Sequence, residues 1–136
     1  MKRVYKLEVD TESKTELVDI TRRVQKAIDE RDVADGVCYL FVPHTTAGLT
    51  LNENWDPAVH ADIVRTLDDM VPADNDYRHS EGNSPAHIKA TLTGASSTLL
   101  IENGELRLGT WQGVYLAEFD GPRQRTVLMK LVPDQS

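Results

Sequence analysis

Four histidines, at positions 44, 60, 79 and 87, are the residues best suited to chemistry near neutral pH, because imidazole titrates close to it and binds metals when neutral. His44 follows a continuous β-prone run from Val37 to Pro43, His79 lies in a long polar stretch, and His87 falls in the first turn of a short helical segment. Side chains at element ends can converge on one pocket. His60 lies beside the apolar stripe of a long helical segment and reads as a surface or boundary residue. Three neutral imidazoles, His44, His79 and His87, around an open fourth position would suit a divalent ion such as zinc or magnesium, able to polarise an oxygen or acidify a bound water. Their spacings of 35 and 8 residues match no specific metal signature, so anion binding and acid–base chemistry stay open beside metal binding.

A helix N-terminus carries partial positive charge, which disfavours protonation of His87 and keeps it fit for metal binding or base catalysis. The same helix start, with Arg78 and His79 close by in sequence, offers donors to a phosphate. Thr45, Thr46 and Gly48 fit an ordinary turn or a set of oxyanion contacts equally well. Asn52 and Glu53 follow the β-prone Leu49 to Leu51, and a glutamate near three histidines would orient an imidazole or act as general base. Gly109-Thr110-Trp111-Gln112-Gly113 is odd for a plain hairpin loop, with Trp111 reading more as a packing residue than as a stacking platform. Glu118 and Arg123 read as solvated charges or weak site candidates. The single cysteine, Cys38, sits within an apolar run as a buried inert thiol, which argues against thiol catalysis and rules out an intrachain disulfide. No P-loop, dinucleotide fingerprint, nucleophile elbow or EF-hand loop is present.

The elements that must position these residues follow from periodicity. Alternation from Val4 to Asp10 predicts a strand, and Thr11 to Thr15 a turn. Asp19 caps a helix over 20–31 with Ile20, Val24 and Ile28 on one face and Gly36 as a stop signal. Asp56 and Pro57 open a helix within 55–71, with Val59, Ile63, Leu67 and Met70 on one face. Residues 72–83 are a long irregular connection, and Ser84-Pro85 starts a third helix that Gly94 ends. Strands over 97–102 and 105–108 flank Asn103-Gly104, a type I′ hairpin signal; two more cover 114–119 and 126–132 around Asp120-Gly121-Pro122. This order lacks the regular alternation of a doubly wound fold. It predicts an α+β fold, with mostly antiparallel sheets packed as a sandwich and about three helices to one side.

At 136 residues the chain makes one domain over 1–136, able to hold a core without staples. With 40% hydrophobic and 27% charged residues it is too apolar for a disordered chain. The net charge of −7 is dispersed and repels nucleic acid, while leaving open a small anionic substrate held by a few local groups. No long apolar run and no signal-peptide pattern appears, which predicts a cytoplasmic protein without membrane attachment.

Taken in order, His44-Thr45-Thr46-Ala47, Asn52-Glu53-Asn54, the run from His79 through Ser80, Glu81, Gly82, Asn83, Ser84, Pro85 and Ala86 to His87, and Gly109-Thr110-Trp111-Gln112 make the chain resemble the YjbQ family, also called the secondary thiamine-phosphate synthase family. The resemblance runs from about Tyr5 to Val132. It implies a β-sandwich-like protomer assembled as a homotrimer, with polar pockets near subunit boundaries. It also implies a metal or anion site at His44, His79 and His87, with Asn52, Glu53 and Gln112 close by and Glu118 and Arg123 as further candidates. The implied activity joins hydroxymethylpyrimidine diphosphate to thiazole phosphate, giving thiamine phosphate and pyrophosphate, with Glu53 or a histidine handling protons and Trp111 contacting an aromatic substrate. A non-catalytic metal or phosphate binder, a metal-dependent hydrolase, and a structural oligomer whose histidines satisfy a polar interface are the alternatives.

Overall fold

A computed structural model of the protein describes residues 3–79 and 81–135; Ser80 of the histidine motif, with Met1, Lys2 and Ser136, lies outside the described residues. The elements in order are β1 (Tyr5–Asp10), β2 (Glu16–Asp19), α1 (Thr21–Arg31), β3 (Gly36–Phe41), β4 (Ala47–Glu53), α2 (Pro57–Met70), α3 (Ser84–Thr93), β5 (Ser96–Glu102), β6 (Glu105–Leu106), β7 (Gln112–Glu118) and β8 (Gln124–Pro133). Five strands form one sheet in the order β1-β8-β3-β5-β6, and three form a second in the order β2-β7-β4. Every pairing is antiparallel.

The period-two pattern of the strands explains how the sheets stack. In β8 the inward positions Arg125, Val127, Met129 and Leu131 are buried, and in β3 Cys38 and Leu40 are. They meet Leu49, Val114 and Leu116 of the smaller sheet, and α1 closes the core with Val24, Ala27 and Ile28. Each fully buried aliphatic side chain contributes about 1.5–3 kcal/mol, so this sandwich core is the main stabilising element. The outer face of the smaller sheet is covered by α2 and α3 through a second cluster, in which Ala86, Ala90, Ala117 and Phe119 pack with Leu17 and Leu67. No residue of α2 is fully buried, so that helix is a loose cover.

Local chemistry sets the helix ends. Asp56 accepts from the Ala58 N–H at 2.9 Å with Pro57 beside it, as its sequence predicts. Asp19 accepts from the Thr21 N–H at 2.9 Å, although Ile20 holds the cap position, and α1 ends at a left-handed Asp32, four residues before Gly36. Asn103 and Gly104 both have positive φ, at 52° and 81°, as the hairpin requires. Two expectations are corrected. Residues 16–19 form a strand, held by pairing with β7, and the strand expected over 105–108 ends at Leu106. Among the described residues no helix is long and apolar enough to cross a membrane.

Candidate functional site

The chain leaves β3 at Phe41 and turns through Val42, Pro43, His44, Thr45 and Thr46 into β4, so His44 stands at the rim of the sandwich. At that rim β4 runs against the C-terminus of α3, where the Leu49 N–H donates to the Gly94 carbonyl at 3.0 Å. A side chain at Gly48, the second residue of β4, would overlap that carbonyl, so this close approach requires a glycine there. The same contact sets α3 across the sheet, bringing His87 to the His44 turn.

A polar cleft of about 540 Å³ is lined by Thr45, Thr46, His79, Glu81, Asn83, His87, Asp120 and Arg123. The His79 and His87 rings meet edge to face with centroids 5.4 Å apart, and His79 Nε2 lies 3.8 Å from Glu81 Oε2. No side chain caps the N-terminus of α3, which opens beside this cleft. Arg123 donates to the Asp120 carbonyl through Nε at 2.8 Å and to its carboxylate through a terminal nitrogen at 3.1 Å, which holds the guanidinium at the edge. On the other side of His87 a second recess is lined by His44, Thr45, Ala47, His87, Ala90 and Thr91. Thr45 and His87 thus line both recesses.

His44 is held differently from the other two. Its Nε2 accepts from the Thr126 N–H at 2.9 Å, so that nitrogen carries no proton. Burial, followed by the positive charge of Arg125, lowers its pKa below the ordinary 6.5, with the Glu118 carboxylate opposing. Neutral His44 is therefore locked in one tautomer. Among the described residues no three His, Cys, Asp or Glu side chains cluster closely enough to hold an ion. His79 and His87 meet directly, and His44 lines the second recess together with His87.

Behind the cleft the structure places an interior ion pair. Glu118 is fully buried and accepts from Arg125 Nε at 2.8 Å and from the Thr11 hydroxyl at 2.8 Å. Arg125 also donates to the Thr46 hydroxyl at 2.8 Å and to the Thr46 carbonyl at 3.1 Å. Glu118 is thus a buried, paired carboxylate and not a solvated charge, and Arg125 anchors the turn that carries His44. Hydrogen bonding to Arg125, the Asp120 N–H and Thr11 outweighs burial and lowers the Glu118 pKa below its usual 4.5.

Other expected residues stand apart. Glu53 and Asn52 occupy the far end of β4, about 20 Å of extended chain from Ala47. There Glu53 accepts from the Asp56 N–H at 3.2 Å, and Asn52 accepts from the Glu53 N–H at 2.7 Å. His60 belongs to that corner too, with Nε2 2.6 Å from the Glu53 carbonyl and its ring edge-on to Tyr115 at 4.6 Å. Gln112 folds back to accept from the Gly109 N–H at 2.8 Å. Trp111 is 58% exposed and meets exposed Trp55 edge to face at 6.3 Å, so it is a surface aromatic and not a packing residue. Arg78 is exposed in the connection before His79 and does not line the cleft. Asn83, Asp120 and Arg125 were missed from the sequence. The available signal was charge at Glu118 and Arg125, which fall among inward positions of apolar strands and so demand partners.

A family model described as UPF0047 protein YjbQ-like matches residues 5–134. The chain is 47% identical to the UPF0047 protein MJ1081 of Methanocaldococcus jannaschii, covering 99% of this chain and 98% of that protein. It is 46% identical to the UPF0047 protein YugU of Bacillus subtilis, covering 93% and 96%. Among solved structures, a YjbQ/UPF0047 family protein of Clostridium acetobutylicum superposes with a TM-score of 0.92 at 52% identity, covering 94% of this chain and 99% of the other. A hypothetical protein of Aeropyrum pernix superposes with a TM-score of 0.92 at 30% identity, covering 98% and 100%.

Proposed function

This chain belongs to the YjbQ-like UPF0047 family, and from that premise we propose that it is a small-molecule enzyme whose histidine cleft binds a phosphorylated substrate. The reaction is the joining of hydroxymethylpyrimidine diphosphate to thiazole phosphate, giving thiamine phosphate and pyrophosphate. The observation that carries this reading is the meeting of His79, His87 and Arg123 at an uncapped helix N-terminus. Imidazole N–H groups, a guanidinium and the positive end of a helix are the groups that stabilise a diphosphate in a chain of net charge −7.

In that reaction the carbon–oxygen bond to the diphosphate breaks and the thiazole nitrogen forms a new bond to the same carbon. The electron pair leaves with pyrophosphate, and the attacking nitrogen loses no proton. Catalysis then consists of holding the two partners in line and stabilising negative charge on the departing oxygen. Arg123 and the α3 N-terminus supply fixed positive potential, His79 and His87 donate hydrogen bonds, and the Thr45 hydroxyl orients the phosphate. Neutral His44 acts from the adjoining recess. Glu53 is assigned no step, because it stands at the other end of β4.

The zinc or magnesium ion expected from the histidines lacks three donors within the described residues, so no step is routed through it. Elemental analysis of dialysed protein beside His44→Ala and His87→Ala tests it: near-stoichiometric metal lost in the variants requires an ion in the mechanism. Product formation from the two phosphorylated substrates tests the main reading. Turnover that disappears in folded His87→Ala supports it, and tight binding of both compounds without conversion makes the protein a carrier instead.

The same reading takes the protein as a cytoplasmic homotrimer. Tyr39, Phe41, Leu100 and Val132 project from the outer face of the five-stranded sheet, where the register sets Leu100 and Val132 on either side of Val37, with Tyr39 and Phe41 following along β3 on the same face. An exposed apolar face of this kind supports burial against another copy. Mass in solution checks it, and a monomer contradicts it.

A further inference from the structure

Beside the histidine cleft lies a separate concavity of about 380 Å³, lined by apolar Ala73, Pro85, Ala86 and Phe119 and by two lysines, Lys14 and Lys89. Asn83 and Asp120 line both spaces, and the Asn83 amide donates to the Asp120 carboxylate at 3.0 Å, so the two form a shared wall. The volume falls within the range of pockets that take small molecules, and the combination of an apolar floor with a few charged groups is the usual make-up of such a site.

The lysines give the recess its sign. Lys89 is 6% exposed, and its ammonium is paired with a single carboxylate, that of Asp68. A buried ammonium with one carboxylate partner keeps donors that a ligand can use. Lys14 reaches the recess from the turn between β1 and β2, and among the described residues its ammonium has no ion-pair partner. Of the charges lining the recess, Lys89 is paired with Asp68, and Asp120 is paired with Arg123 on the far side of the shared wall, so Lys14 is the charge left to face a ligand.

We propose that this recess is a second subsite, holding the ring of a planar aromatic or heteroaromatic phosphate against Ala73, Pro85, Ala86 and Phe119, with its anionic group on Lys14 and Lys89. The proposal rests on the reading of the neighbouring histidine cleft as a diphosphate site, which it extends to a two-compartment arrangement. The diphosphate partner occupies the polar side and the monophosphate acceptor the apolar side. Asn83 and Asp120 border both spaces, so the two ligands can be held side by side at once without competing.

Calorimetric titration tests this with two probes, inorganic pyrophosphate for the histidine cleft and phenyl phosphate for the recess. The variants are Lys14→Ala, which removes the unpaired charge, and Ala73→Phe, which fills the recess from an exposed position. Phenyl phosphate binding to protein saturated with pyrophosphate, weakened about tenfold or more in each variant while the pyrophosphate Kd stays within about twofold, is the expected result. Displacement of phenyl phosphate by pyrophosphate overturns the second subsite, as does unchanged affinity in both variants or no binding at all. If pyrophosphate fails to bind while phenyl phosphate still depends on Lys14 and Ala73, the diphosphate reading of the histidine cleft fails and the recess stands.

Discussion

The Glu118 carboxylate and the Arg125 guanidinium are locked together by two hydrogen bonds in the interior of the sandwich, Nε to Oε1 at 2.8 Å, with neither side chain more than 3% exposed. Two charges removed from water remain only where their hydrogen-bonding capacity is filled, and here Thr11, Thr46 and the Asp120 N–H fill it. The pair ties β7 to β8 across the two sheets and pins the turn between His44 and β4. The cleft thus stands on a rigid polar support.

Removing one partner leaves the other charged and buried. Glu118→Gln or Arg125→Met lowers the unfolding free energy by about 3–5 kcal/mol, and the double variant loses less than the sum of the two. Urea denaturation of the four proteins checks this, and additive losses would show that the side chains act independently.

Acid destabilises the protein in two stages. His44 has a lowered pKa when folded, so between 6.5 and that lower value the unfolded chain takes up the proton preferentially, and stability falls as pH drops through this window. Glu118 is likewise lowered when folded; its contribution is present above 4.5 and is lost as pH falls from there through the folded value. Denaturation midpoints from pH 8 to about pH 2 record both stages. A His44→Gln variant loses the first and keeps the second.

Cys38 is fully buried, and desolvation pushes its thiol up to about 12. The native protein therefore resists a thiol-specific reagent at pH 8 and reacts with one equivalent after denaturation. Rapid labelling of the native state contradicts the packing of β3.

Several of these features are legible in the sequence, and their limits have physical causes. Asp56-Pro57 and Asn103-Gly104 announce a helix start and a turn because the conformations they favour are local. β2 has four residues and no period to detect; its strand character comes from β7, about a hundred residues away in sequence. Glu53 lies nine positions after His44, and that nearness misleads, because the intervening residues are extended and carry it to the opposite end of a strand. His79 and His87 do meet, since a helix start and the connection before it stay close in space. The anchoring role of Arg125 depends on which strand faces which, and strand order is not written in local pattern.

The central claim is that the histidine cleft holds a diphosphate, and calorimetric titration of inorganic pyrophosphate into wild-type protein, His87→Ala and Arg123→Ala tests it most directly. Both variants remain folded, because Arg123 is about half exposed and His87 belongs to no ion pair among the described residues. The account predicts one site per chain in the wild type, weakened at least tenfold by either substitution, with melting temperatures nearly unchanged. Binding of equal strength in all three proteins would contradict it.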